Sequence, residues 1–495
     1  MAKEQRLEWR VNMPNGTSEK LETEHGFFYR VWMRLQGLIE RFFLKIWRFL
    51  EKAWSIGASE PKKVAHCLKV GLALSLVSLF YYMRPLYDGV GGNAMWAVMT
   101  VVVVFEYTVG AMLCKCVNRV IGTFLAASLG IGVHWVATQS GQQFEPIILG
   151  VSVFLLASAA TFSRFIPSIK ATFDYGAMIF ILTFSLVSMS GYRVDELLVL
   201  AQTRVSTIGI GTSICIFTSM LLCPVWAGNE LHLLIIRNTE KLADSIDGCV
   251  AEYFNNNEDI NVNDKDLGKK LQGYKCALNS KAAEESMANL ARWEPPHGQF
   301  DFRHPWKQYL KIGAAIRNCA FCVESLRSCI NSEIQVPEFL KKNLSDACTR
   351  LSSQCSQVLK ELSMMMKTMT KSSKIDLSVG EMNIAVQELQ NGLKSLPNSL
   401  LLPPMHENDS NRQPTTKQFA VPLIDILPVA TAVSLLTEIA GRIEGIVEEV
   451  NILAVLAEFK FKAASDEKSQ QNQSNTDKID DDGTMKTPSK GLSST

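Results

Sequence analysis

The 495-residue sequence has almost no net charge: 50 Lys and Arg against 49 Asp and Glu leave +1. A chain so balanced projects no broad positive field, which argues against a nucleic-acid partner. Histidine is sparse, and His66, His134, His232, His297 and His304 are scattered rather than set at ligand spacing. No Gly-rich phosphate loop and no nucleophile elbow accompanies them, so neither catalysis nor a cofactor is expected. Cys319 and Cys322 form a single C-x-x-C with no second pair and no suitably spaced His, which points to packing in a helix and not to a metal. None of the 12 cysteines falls in a predicted outer loop, the pattern of reduced thiols. No short apolar stretch with a cleavage site stands at the start, so insertion is expected to use internal spans.

Charge is scarcest between residues 64 and 223, where the apolar residues concentrate. Candidate spans fall near 64–83, 94–112, 118–137, 146–163, 173–189 and 202–222, each long enough for a ~30 Å hydrocarbon core. The expected fold is an all-α membrane protein with about six transmembrane helices followed by a cytosolic helical bundle. Residues 1–60 form a cytosolic N-terminal segment, 61–224 the membrane domain, 225–464 the soluble domain and 465–495 a disordered tail. Lys62, Lys63, Lys115, Arg119, Arg164 and Lys170 cluster at alternate connections, while the others hold Arg84, nothing near 138–145, and Arg193 beside Asp195 and Glu196. This bias places both termini in the cytosol. The sequons at Asn15, Asn343, Asn408 and Asn472 are then expected to stay unmodified.

Few charges enter the spans, and those that do are candidates for function. Lys69 and Glu106 lie at similar expected depths from the inner side, so they are candidates to pair, either as a gate or as a static bridge fixing two helices. Arg119, expected in the first turns of the third span, and Arg164, at the end of the fourth, would form with Lys170 an inner vestibule for anions. The same residues also satisfy the positive-inside rule alone. Arg84 and Arg204 fall near the outer ends, where that rule predicts few cations, and either lines the path or snorkels to headgroups.

Residues 1–25 are polar, with little order expected. From 27 to 54, Arg30, Arg34, Arg41, Lys45, Arg48 and Lys52 recur beside an apolar stripe of Val31, Leu35, Leu38, Phe42, Ile46 and Phe49. This is a basic amphipathic helix, lying on an anionic membrane surface or packed on the protein's own soluble part. After Pro224, helical patterns at about 229–254, 264–292, 305–331, 338–371, 378–395 and 422–462 alternate with breaks. The last is apolar enough to suggest a seventh span. Glu438, Arg442, Glu444, Glu448 and Glu449 interrupt it at helical spacing, which indicates an amphipathic helix for a bundle or a coiled pair.

Several long stretches resemble one family in order: PLYDGVGGNAMWAVMTVVVVFEYTVGAMLCK with its following NR, SRFIPSIKATFDYGAMIFILTFSLVSMSGYR, CPVWAGNELH, and WEPPHG followed by HPWKQYLKIGAAIRNC. The chain resembles the plant aluminium-activated malate transporters, anion channels despite the name. The resemblance implies a homodimer with a basic pore, passing malate and variously chloride, nitrate or sulfate. By matching motif positions it implies that Lys69, Glu106, Arg119 and Arg164 are pore-associated. The usual CKG-x-NR reads Cys114-Lys115-Cys116-Val117-Asn118-Arg119, with Cys116 in place of a flexible Gly. It does not transfer an aluminium response: Asp88, Glu145, Asp195 and Glu196 are outer carboxylates of the kind that commonly face water.

A passive anion channel, in the plasma membrane rather than the vacuolar membrane, is the leading expectation. The alternatives are an ion-coupled organic-anion exporter with Glu106 as titrating group, and a membrane scaffold that carries no current. The WEPPHG loop either packs Trp293 on the bundle and holds Glu294 near the basic inner loops, or is a purely structural turn.

Overall fold

A computed structural model describes residues 10–12, 18–20, 27–83, 94–141, 143–191, 197–254, 271–301, 303–330, 338–401 and 423–461. The chain divides into two compact units, Met1–Leu72 and Ala73–Thr495. In the first, β1 (Arg10–Asn12) pairs antiparallel with β2 (Ser18–Lys20), a short hairpin where little order was expected. Helix α1 (Phe27–Ser59) follows, and α2 (Pro61–Tyr82) begins one residue later. Pro61 suits that first position because its missing N–H would have had no helical partner.

The second unit opens with the remainder of α2 and continues with α3 (Ala94–Val104), α4 (Val109–Gln139), α5 (Glu145–Ser163), α6 (Pro167–Gly191) and α7 (Leu197–Leu221). Close packing among them uses small residues, as expected where lipid offers no hydrophobic drive between helices. A Cβ on Gly122 of α4 would lie 2.7 Å from the Gly176 carbonyl oxygen of α6, so those two backbones touch. Phe124, Phe154 and Phe162 point outward and are exposed, which fits a lipid-facing band rather than a soluble surface.

Among the described residues, five helices are long and apolar enough to cross a membrane: Pro61–Phe80, Val109–Gln139, Glu145–Ser163, Pro167–Met189 and Ile426–Leu456. The shorter apolar helices Met95–Val104 and Val205–Leu221 bring the apolar segments before residue 224 to the expected number. One boundary differs. The sequence suggested a connection near 113–119; the chain instead leaves its helix at Phe105–Thr108, and α4 then runs unbroken for 31 residues. Lys115, Cys116 and Arg119 are therefore helical, and Cys116 is buried where a flexible turn was not needed.

The C-terminal half contains α8 (Ala227–Phe254), α9 (Tyr274–Leu278), α10 (Lys281–Ala291), α11 (Trp306–Ile330), α12 (Glu338–Thr368), α13 (Lys374–Leu401) and α14 (Leu423–Leu456). Helix α8 packs along α12, and α11 along α14. Helix α14 meets the span criterion but belongs to this bundle. Its stripe of Val433, Leu436, Ile439, Ile443, Ile446, Val450 and Leu453 is buried in the bundle core. Each such side chain contributes about 1.5–3 kcal/mol by leaving water. That stripe is consumed within one chain, so it gives no support to a coiled pair between copies. Helix α13 runs on to Leu401, past the expected end of its pattern at 395; residues 402–422 and the tail 465–495 lie outside the described residues.

Candidate anion path and the junction beneath it

Helix α4 starts with four backbone N–H groups that no helical carbonyl can satisfy. Thr108 caps it in an extended conformation, its hydroxyl accepting from Ala111 N at 3.3 Å and its carbonyl from Met112 N at 3.1 Å. Val109 N donates to Val225 O at 2.9 Å, just ahead of α8. The remaining one, Gly110 N, donates to Oε1 of Glu294 at 3.1 Å. The same carboxylate accepts from the first residues of α8, Ala227 N at 2.6 Å on Oε1 and Gly228 N at 3.0 Å on Oε2. Glu294 is only 5% exposed. One buried anion thus closes the N-termini of a membrane helix and of a helix of the C-terminal bundle, where both macrodipoles favour negative charge.

Two glycines permit this approach. A Cβ on Gly110 would sit 2.4 Å from Leu290 O, and one on Gly228 2.4 Å from the Trp306 ring. Burial pushes the Glu294 carboxyl up, against the pull of the Gly228, Ala227 and Gly110 amides and of His297. His297, stacked on Trp226 with ring centroids 3.9 Å apart, lies 4.0 Å from Glu294 Oε2. Below it, the Tyr309 hydroxyl lies 3.0 Å from His232 Nδ1 and 3.2 Å from His304 Nε2. Burial drives both imidazoles down to about 4, with His232 and His297 adding to the effect on His304. The WEPPHG loop therefore places Glu294 at two helix ends, and Trp293 is half-buried beside it.

The charges of the membrane half fall into pairs that the sequence suggested only in part. Within the second unit Glu106 pairs with Lys115. Helical side chains lean towards the N-terminus, so Lys115 reaches back to the Phe105–Thr108 turn, where its Nζ also donates to Val103 O at 3.3 Å. It lies 5.5 Å from the centre of the Tyr175 ring as well. Lys69, on α2, belongs to the first unit. Arg164 caps the end of α5 and grips Asp174 of α6 through Nε at 2.7 Å and Nη2 at 3.3 Å. Such a fork on a carboxylate removes most of its value as a bare cation. Lys170 is exposed in the first turn of α6. Arg84 lies outside the described residues, and of Arg204 only its place in α7 is described.

Arg119 stands apart. It is 6% exposed, roughly 15 Å along α4 from its start at ~1.5 Å per residue, and donates from Nη1 to the Tyr175 hydroxyl at 3.0 Å. Among the described residues it has no acidic partner, and its Nε makes no hydrogen bond. One turn on, the buried hydroxyl of Thr123 is also without a partner. Both line a cleft of about 30 Å³ walled by Trp96, Thr183, Leu186 and Ile208, room for a water or two but not for a dicarboxylate. Asp174 and Tyr175 are consecutive on α6, so Arg164 and Arg119 are held at nearly one depth, on sides of that helix ~100° apart. They do not share the cleft.

Asp174, Tyr175 and Thr123 were not legible as site residues; the only local sign was polar side chains inside apolar runs. Among the described residues no group of three His, Cys, Asp or Glu is gathered for a metal.

Residues 54–420 match the family model described as aluminium activated malate transporter. The chain is 57% identical to aluminum-activated malate transporter 10 of Arabidopsis thaliana over 95% of its own length and 97% of that protein. It is 49% identical to transporter 2 of the same plant over 62% of each chain. It is 49% identical to aluminum-activated malate transporter 1 of Triticum aestivum over 60% of this chain and 65% of the other.

Proposed function

Because the chain belongs to the aluminium-activated malate transporter family, we propose that it passes malate, and with it chloride, nitrate or sulfate, as a passive anion channel. The observation that carries this reading is Arg119: a buried guanidinium with a free donor and no acidic partner, partway along a membrane helix. A buried cation without a carboxylate is costly, and a passing anion relieves that cost. Thr123 adds a neutral hydroxyl one turn along for the same anion.

The cleft beside Arg119 admits water alone, so the passage of malate there requires it to widen. A second copy of the chain completes the path, with the two Arg119 residues facing it from opposite sides. The Glu294 junction is the link by which the soluble half biases α4, and the Glu106–Lys115 pair holds the turn at the start of α4. Both termini lie in the cytosol and the channel works in the plasma membrane. Glu106 sits in a turn and is held by Lys115, which favours a channel over an exporter that needs a mobile proton carrier within the span.

Currents recorded with malate as the permeant cytosolic anion test the mechanism. A channel reverses at the malate equilibrium potential whatever the pH or sodium concentration. A reversal potential that moves with either ion refutes the passive reading.

A further inference from the structure

Helix α1 leaves an apolar face bare along most of its length. Leu38, Phe42, Phe49 and Trp54 are 62%, 63%, 71% and 81% exposed, and Ile39, Ile46 and Leu50 between them are exposed too. A contiguous face of this extent is an interaction surface and not a solvated one. Arg41, Lys45, Arg48 and Lys52 recur at steps of four, three and four, a basic stripe along one flank of the apolar face. Glu40 and Glu51 fall on the other flank.

We infer that α1 lies in the headgroup layer of the leaflet from which α2 enters the membrane, held by anionic phospholipid. Three observations decide this occupant. Only Glu60 separates α1 from α2, and the corner is hydrogen-bonded on both sides, Glu60 N to Ile56 O at 3.0 Å and Lys63 N to Glu60 O at 3.0 Å. The C-terminal end of α1 is therefore fixed at the start of a membrane span. Its apolar face continues onto that span through a groove of about 930 Å³ lined by Trp47, Leu50, Trp54 and Val64, so one lipid layer would cover both surfaces. Third, the stripe is basic: pairing with a second copy would bring like charges together, whereas an anionic leaflet attracts them. The inference requires membrane insertion but not the channel reading.

Photo-crosslinking of the full chain in lipid vesicles tests it, with benzoylphenylalanine in place of Phe49, and in a second variant in place of Ser55 on the opposite face. In vesicles of phosphatidylcholine with phosphatidylserine, position 49 should give lipid adducts by mass spectrometry and position 55 none. The yield at 49 should fall in phosphatidylcholine alone. The triple change Arg41→Gln, Lys45→Gln, Arg48→Gln should abolish that difference while leaving the protein's elution volume in detergent unchanged. Adducts at 49 to a second copy, adducts to the chain's own second unit, no adduct, or equal lipid yield in both vesicles would each overturn the inference.

Discussion

Replacing Glu294 by Gln keeps the shape of the side chain and removes the charge that closes two helix ends. The amide oxygen can retain the contacts of Oε1 with Gly110 N and Ala227 N, but the NH2 group then faces Gly228 N, donor against donor. Losing a hydrogen bond to a charged group costs about 1.5–3 kcal/mol. Losing the favourable interaction with each N-terminus costs a further ~0.3–1 kcal/mol. The sum is about 2–5 kcal/mol, which for a bundle of this size corresponds to a fall of roughly 4–20 °C in Tm. The assay is a thermal melt of detergent-purified protein beside currents normalised to surface protein. Glu294→Gln should melt earlier and conduct less, because the link between α4 and α8 is loosened. A Tm and a normalised current both equal to wild type would refute the reasoning that the buried carboxylate joins the two halves.

Gly110→Ala drives a methyl into the Leu290 carbonyl, a backbone atom that cannot rotate away; it should destabilise by about 1–3 kcal/mol and lower surface expression, measured by biotinylation. His232 has a folded pKa of about 4 against 6.5 unfolded, so below pH 6.5 the unfolded chain binds a proton the folded chain refuses. Stability should therefore fall as pH drops from 6.5 to 4, by at most about 3 kcal/mol for this residue, and His232→Gln should flatten the Tm-against-pH curve. The Glu106–Lys115 pair is about one-third exposed at each partner and is worth ~1 kcal/mol or less. Glu106→Gln and Lys115→Gln should each shift the open-to-closed ratio by up to ~5-fold, with non-additive effects in the double variant; additive shifts would mean the pair does not act in gating.

The membrane half, the soluble bundle and the amphipathic nature of α14 were legible because apolar periodicity is a local property. The break at Phe105–Thr108 was not, since apolar residues continue through it and what ends the helix is distant: Val225 and Glu294 capture the N–H groups of Val109 and Gly110. Thr108 was the one local sign, a capping residue inside a hydrophobic run. Misplacing that turn put Arg119 at a helix end and hid Lys115 as the partner of Glu106. Asp174 could be matched to Arg164 only after the α5–α6 turn was fixed, for the two are ten residues apart across it. The sequence singled out Glu294 for the basic inner loops, but nothing within its own loop reveals two helix ends converging on it.

The central claim is that Arg119 supplies the positive charge an anion meets in the membrane. At ~4 Å and an effective dielectric near 20, one unit charge interacts with another by about 4 kcal/mol, and a dianion feels twice what a monoanion feels. Arg119→Gln should therefore reduce malate current more than chloride current, by at least ~10-fold in the ratio, which corresponds to about 1.4 kcal/mol. Arg164→Gln, which only frees Asp174, should change that ratio far less. The decisive measurement is the malate-to-chloride permeability ratio of Arg119→Gln at wild-type surface expression: a fall of that size is the predicted result, and an unchanged ratio would contradict the account.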